Sequence, residues 1–112
     1  MNNLNSVLIE GNVTVVPIRE NEVDGKLSKE VLFVISLQRF YKSESEAEYI
    51  QEITNVLVIV GGRQGEVCEQ QIKLGNQVRV IGRLMNRNDR LAISAEHVEF
   101  VLPTESGEKK QL

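Results

Sequence analysis

The 112-residue sequence predicts one small domain of the all-β class, a five-stranded barrel with one short helix between its third and fourth strands. Three observations carry that reading. Apolar residues alternate at period two through most of the chain, as half-buried strands require. A single segment, residues 63–74, breaks the alternation with a helical stripe. Apolar residues make up 41% of the chain, enough to fill one core and too many for a disordered chain.

The first strand sets Val7, Ile9, Val13 and Val15 on one parity, with Glu10, Asn12 and Thr14 on the other. Gly11 in its middle marks a bulge or a sharp bend, as a strand closing into a small barrel needs. Residues 21–26, with Asp24-Gly25, form a turn. The second strand places Val31, Phe33, Ile35 and Leu37 on one face and runs out into Arg39-Phe40-Tyr41-Lys42. Residues 43–48 make an acidic loop. The third strand, Tyr49 to Val60, ends in five consecutive aliphatics, a run expected to be buried on both faces. Gly61-Gly62 breaks it. The helix at 63–74 aligns Val67, Cys68, Gln71 and Ile72, with Gly75 at the C-cap position and Gly65 weakening the pattern. The fourth strand spans Gln77 to Met85, a short turn covers Asn86 to Asp89, and the fifth strand spans Arg90 to Leu102. Phe33 and Phe100 are assigned to the core.

Three strands, a helix and two strands is the order of the OB-fold, a small partly open barrel. A two-sheet sandwich is the competing arrangement, but it usually has more strands. The barrel domain occupies 1–102, and 103–112 is a short polar tail.

Net charge is −3, from 13 basic and 16 acidic residues, so the totals do not mark a basic nucleic-acid binder. The distribution is uneven. Residues 61–95 carry a net +3, from Arg63, Lys73, Arg79, Arg83, Arg87 and Arg90 against Glu66, Glu69 and Asp89. No apolar run is long enough to span a membrane, and the start has no signal-peptide pattern, so the expected location is cytoplasmic. Cys68 is the only cysteine, which excludes an intrachain disulfide and a thiolate zinc cluster. His97 has no ligand partners nearby in sequence and reads as a surface or interface residue. No catalytic residue, metal or cofactor is expected, and an enzyme is the least favoured class.

Three ordered blocks then carry a resemblance. Asn5-Ser-Val-Leu-Ile-Glu-Gly-Asn-Val13 resembles the first strand of bacterial single-stranded DNA-binding proteins. Gly75-Asn-Gln-Val-Arg-Val-Ile-Gly-Arg-Leu84 resembles that family's fourth strand, and Ala95-Glu-His-Val-Glu-Phe100 its closing strand. The similarity covers about residues 2–102. It implies an OB-fold and non-catalytic, sequence-tolerant binding of single-stranded DNA in replication, repair and recombination. It also implies a homo-oligomer. The departures are specific. There is no tryptophan, and Asn55 and Gly61 stand where the family has an aromatic on its third strand and at that strand's end. Asp89 stands near a further family tryptophan. The chain ends Glu-Lys-Lys-Gln-Leu, where the family has an acidic tail with a hydrophobic tip that recruits partner proteins. A short, aromatic-poor, tail-less form is similar to the primosomal replication-restart proteins on the same fold, and Val58-Ile-Val-Gly-Gly62 resembles their third strand too.

Single-stranded DNA is held by a basic groove along the phosphates and by aromatic faces that stack bases. For the first, Arg79, Arg83 and Arg87 share a parity of the fourth strand, with Ile81 and Met85 between them. Residues four apart on a strand lie about 13 Å apart, which suits alternate phosphates of an extended chain. Arg39, Lys42 and Arg90 extend that track. For stacking, Phe40 and Tyr41 fall where the family has an aromatic after its second strand. Tyr41 shares the parity of core residues, which points Phe40 outward; Tyr49 is the next candidate. Gly61-Gly62-Arg63 before the helix offers a weak phosphate cradle, though the same glycines simply end a strand. The acidic residues Glu44, Glu46 and Glu48 oppose DNA if they flank the groove. Two further readings stay open. One is a restart-type accessory protein, dimeric rather than tetrameric, that binds DNA weakly and acts through replication and repair proteins. The other is an interaction barrel that has lost DNA.

Overall fold

Period-two alternation becomes five long strands in the computed structural model, which describes residues 1–20, 22–23, 26–27, 29–45 and 48–101. In chain order these are β1 (Val7–Arg19), β2 (Glu22–Val23), β3 (Lys26–Leu27), β4 (Val31–Lys42), β5 (Tyr49–Val60), α1 (Gly62–Gln71), β6 (Gln77–Arg87) and β7 (Arg90–Phe100). The long strands close a barrel in the order β1-β4-β5-β7-β6, with β6 returning to β1. All neighbours are antiparallel except β5 and β7, which meet in a short parallel seam at Val58–Ile93 and Ile59–Ser94. One helix follows the third barrel strand, so the architecture is the OB-fold. β2 and β3 form a small antiparallel pair of their own. The expected Asp24-Gly25 turn, Glu46 of the acidic loop and residues 102–112 lie outside the described residues.

The barrel closes because β1 serves two neighbours. Its first half, Val7 to Asn12, pairs with β6, and its second half, from Asn12 to Arg19, pairs with β4. Gly11 stands at this crossover. A Cβ there would run into the Ser36 carbonyl oxygen, so the residue must be glycine for close approach. Of the bulge or sharp bend expected at Gly11, the register shifts fall downstream, between Val13 and Val15 and again between Val15 and Ile18, while Gly11 itself marks the crossover. Each extra residue turns the next side chain over. Val15, expected inside, is therefore exposed and sits opposite Val34 on the outer surface.

The core collects Val13, Phe33, Ile35, Val58, Val60, Val78, Val80 and Ile93 from the strands, with Cys68 and Ile72 reaching in from the helical segment. The helix is shorter than expected; Cys68 and Ile72 of the expected stripe are buried, Val67 and Gln71 are exposed, and Gly65 joins the buried side. Gly65 is what lets α1 pack. A Cβ there would lie 2.7 Å from the Val60 carbonyl oxygen. Gly75 does not cap the helix, which gives way to extended backbone at Ile72. It occupies a positive-φ position (86°) in the turn that Asn76 closes by donating its N–H to Lys73 O. Phe100 also departs from expectation. It ends β7 opposite Val78 and is 37% exposed. Between β6 and β7 the chain reverses through Asn88 and Asp89, both at positive φ, the two-residue turn that Asn and Asp tolerate.

Two outcomes are expected of this packing. Gly11→Ala loses about 1–3 kcal/mol of stability in urea unfolding, because the added methyl meets backbone rather than a mobile side chain. Gly61→Ala, whose Cβ meets nothing closer than 4.0 Å, changes stability little. Burial pushes the Cys68 thiol up to about 11, so at pH 8 about one thiol in a thousand is ionised. Iodoacetamide is expected to label Cys68 at pH 8 only as fast as the domain unfolds, and rapid labelling of native protein would contradict the packing.

Candidate nucleic-acid interface

Ladder lengths create the main surface feature. β1 accompanies β4 only as far as Ser36, and β7 accompanies β5 only at Val58 and Ile59. The β4–β5 ladder continues alone, from Ser36–Asn55 out to Lys42–Tyr49. Residues 37–42 and 49–54 thus form a two-stranded ribbon that leaves the barrel. At a strand's rise its six residue pairs span about 20 Å. The tip is drawn together by Ser43 N–H donating to Glu48 O at 3.0 Å.

Directly opposed residues of an antiparallel pair point to the same side. One face of the ribbon therefore presents Gln38 with Ile53, Phe40 with Gln51, and Lys42 with Tyr49. Phe40 is 63% exposed and Tyr49 76%. As diagonal neighbours they stand about 7–8 Å apart, with Lys42 beside both. The other face presents Leu37 with Thr54, Arg39 with Glu52, and Tyr41 with Ile50. There the Arg39 guanidinium lies 4.6 Å from the Tyr41 ring centroid and 3.7 Å from Glu52 Oε1. Phe40 is exposed and Tyr41 half-buried, as parity implied. That Tyr49 shares a face with Phe40 follows from strand register, which no single strand reveals.

The Phe40 face continues onto the barrel. Ser36 and Asn55 come next, then Val34 with Leu57 and Leu32 with Ile59. The bulged half of β1 adds exposed Val15 and Ile18 opposite Val34 and Leu32. A polar row thus separates the aromatic ribbon from an apolar strip.

The expected arginine track has a different character in three dimensions. Arg79 sits between two carboxylates, with Nη2 donating to Glu10 Oε1 at 2.9 Å and Nη1 to Glu99 Oε1 at 3.5 Å. Glu10 also accepts from Gln77, and Glu99 meets His97 Nε2 at 3.0 Å. Arg87 is more enclosed. It donates to Glu20 at 3.1 Å and to Glu30 at 2.9 Å, at the point where Glu20 N–H also donates to Glu30 O. The carboxylates hold both guanidinium pKa values above their ordinary range, through Glu10 for Arg79 and Glu30 for Arg87. Arg19 is likewise raised by Glu69, its partner at 2.7 Å on α1. Among the described residues, Lys42, Arg83 and Arg90 have no side-chain partner and remain available to an outside anion. The nine candidate residues thus fall into two groups: Arg39, Phe40, Tyr41, Lys42 and Tyr49 on the ribbon, and Arg79, Arg83, Arg87 and Arg90 on β6 and β7. Counting cations could not reveal Glu10, Glu20, Glu30 and Glu99 as their partners. The only available sign was the outward parity of Glu10 on β1.

Gly61 and Gly62 end β5 and begin α1, with no side-chain cap at Gly61 and a positive φ at Gly62. Among the described residues no group of three or more His, Cys, Asp or Glu is placed to hold a metal. No helix is long and apolar enough to cross a membrane.

No family model matches the chain. Replication restart protein PriB from three strains of Actinobacillus pleuropneumoniae is 39% identical over 51 residues, which is 41% of this chain and 41% of each relative. The match therefore spans about two fifths of those relatives' length. Among solved structures, the small single-stranded DNA-binding protein from Streptomyces coelicolor superposes with a TM-score of 0.69 at 20% identity, covering 91% of this chain and 96% of that one. A Plasmodium falciparum SSB in complex with single-stranded DNA gives 0.74 at 16% identity, covering 90% and 97%. PriB from Ralstonia solanacearum gives 0.65 at 15%, covering 88% and 100%. At these identities the likeness establishes the shared OB-fold.

Arg87→Ala is expected to lower stability by about 1–2 kcal/mol, because two carboxylates at the ends of β1 and β4 lose their common donor. Arg79→Ala, on the open surface, is expected to cost less. Urea midpoints of the two variants in low salt check the order.

Proposed function

We propose that this chain is a non-catalytic, sequence-tolerant single-stranded DNA-binding protein that works as a homo-oligomer. The observation that carries the reading is the ribbon face on which Phe40 and Tyr49 stand exposed beside Lys42. Exposed aromatics on a projecting two-stranded arm offer stacking surfaces to any base, whatever its sequence. Phosphates of the same strand meet Lys42 on the ribbon and Arg90 at the start of β7, with Arg83 extending the contact along β6. Arg79 and Arg87 must first exchange a carboxylate for a phosphate, so they contribute less than their charge suggests. The solved single-stranded DNA-binding neighbours support this reading through their common fold, as does the resemblance of the three sequence blocks.

One observation favours a restart role over general coating during replication, repair and recombination. The 51-residue match is to replication restart proteins. With two strong stacking positions and a short free cation set, binding is expected to be weaker than a tryptophan-rich surface gives. That suits a protein acting beside replication partners.

Fluorescence anisotropy of a labelled oligo-dT at several salt concentrations, with duplex as control, tests the proposal. Phe40→Ala and Tyr49→Ala are each expected to weaken binding by about 1–3 kcal/mol, roughly 5- to 150-fold in Kd, with the salt slope unchanged. Arg83→Ala is expected to lower that slope by about 0.7, the value of one phosphate contact on a single strand. No binding even at low salt would overturn the proposal and leave an interaction barrel.

A further inference from the structure

Two arginines of β6 are paired with carboxylates, and they are paired differently. Arg79 meets Glu10 and Glu99, its ladder neighbours on β1 and β7, so all three lie in one row of the sheet. Arg87 reaches outside its sheet row. Its Nη1 donates to both oxygens of Glu20, at 3.3 and 3.1 Å, and its Nη2 to Glu30 Oε1 at 2.9 Å. Glu20 follows the end of β1 and Glu30 precedes β4. Because Glu20 N–H donates to Glu30 O, both carboxylates approach Arg87 from one junction. The Arg87 side chain is 20% exposed there, against 45% for Arg79.

Across the ladder Arg87 stands opposite Arg90, on the two sides of the Asn88-Asp89 turn. Directly opposed side chains point to the same side with Cβ atoms about 4.5–5.5 Å apart, and like charges there repel. Glu20 and Glu30 neutralise only Arg87 of this pair. Arg90 has no side-chain partner among the described residues. Two guanidinium groups so placed suit one phosphate that both can grip.

We propose that Arg87 and Arg90 form a phosphate site on the β6–β7 hairpin, and that Glu20 and Glu30 keep it masked in the free protein. The inference rests on the single-stranded DNA reading above and concerns how that surface is regulated. A phosphate that meets Arg90 lies beside Arg87. The Arg87 guanidinium then leaves the carboxylates for the phosphate, and the shared anion offsets the repulsion between the two arginines. Opening has a cost, because two carboxylates drawn together at one junction lose the cation between them and repel. The mask therefore weakens DNA binding, and its strength is set by Glu20 and Glu30.

Substitution of the mask tests this directly. Glu20→Gln/Glu30→Gln keeps side-chain size and hydrogen-bond acceptors while removing the charge that holds Arg87. In anisotropy titrations with labelled oligo-dT this variant is expected to bind about 3- to 10-fold tighter than wild type in low salt, with a salt slope steeper by about 0.7, the value of one phosphate contact on a single strand. Adding Arg87→Met, which keeps the aliphatic stem, is expected to abolish both the gain in affinity and the extra slope. Circular dichroism checks that each variant is folded. A gain that persists with Arg87→Met would show a general effect of lost negative charge. An unchanged slope in Glu20→Gln/Glu30→Gln would show that Arg87 does not reach the strand. Either result overturns the masked site and leaves DNA binding standing. No binding of oligo-dT by wild type or variants would overturn both readings together.

Discussion

Closure of the barrel turns on a change of partner within β1. Near Asn12 the strand lies against both Gln77 of β6 and Ser36 of β4, and Gly11 allows the close approach this requires. Past that point β1 belongs to β4 and must curl to stay with it. The two bulges supply the curl and turn Val15 and Ile18 outward. Before it, β1 belongs to β6, so β4 has no neighbour on that side beyond Ser36. One switch of partner therefore produces the bent barrel, the outer apolar strip and the bare ribbon.

The opposite side of the ribbon is free for a related reason. β5 and β7 run parallel and share only two residue pairs before they splay. The helix closes one end of the core with Cys68 and Ile72, while the splayed seam leaves the pocket at Val56 and Leu91. Surface chemistry follows this geometry. The exposed aromatics Phe40 and Tyr49 stand on the ribbon, where only β4 and β5 pair with each other. The arginines of β6 stand where β1 and β7 bring carboxylates alongside.

Those carboxylates change what positive charge can do here. Arg79 and Arg87 each meet two glutamates, and Arg39 shares its charge between Glu52 and the Tyr41 ring. A phosphate approaching them competes with partners already held in place. Lys42, Arg83 and Arg90 face no such competition among the described residues. On the proposed reading stacking leads and charge assists, which fits the chain's net −3.

Strand identity, helix position and the OB order were legible in the sequence because alternation, glycine punctuation and turn residues act locally. Parity alone oriented Phe40 and Tyr41. It failed for Val15, where a bulge inverted it, and for Phe100, which lies at a strand end where burial fades. On the helix the pattern placed Cys68 and Ile72 correctly but not Val67 and Gln71, and it could not show Gly65 as a packing residue, because its close approach to Val60 depends on tertiary structure. Local pattern, in short, determined which residues form strands and which could stack or carry charge. Register decided the rest. Only strand pairing set Tyr49 beside Phe40, brought Glu10 and Glu99 to Arg79, and carried the β4–β5 ribbon beyond its neighbours, because each depends on residues far apart in the chain meeting across a hydrogen-bonded ladder.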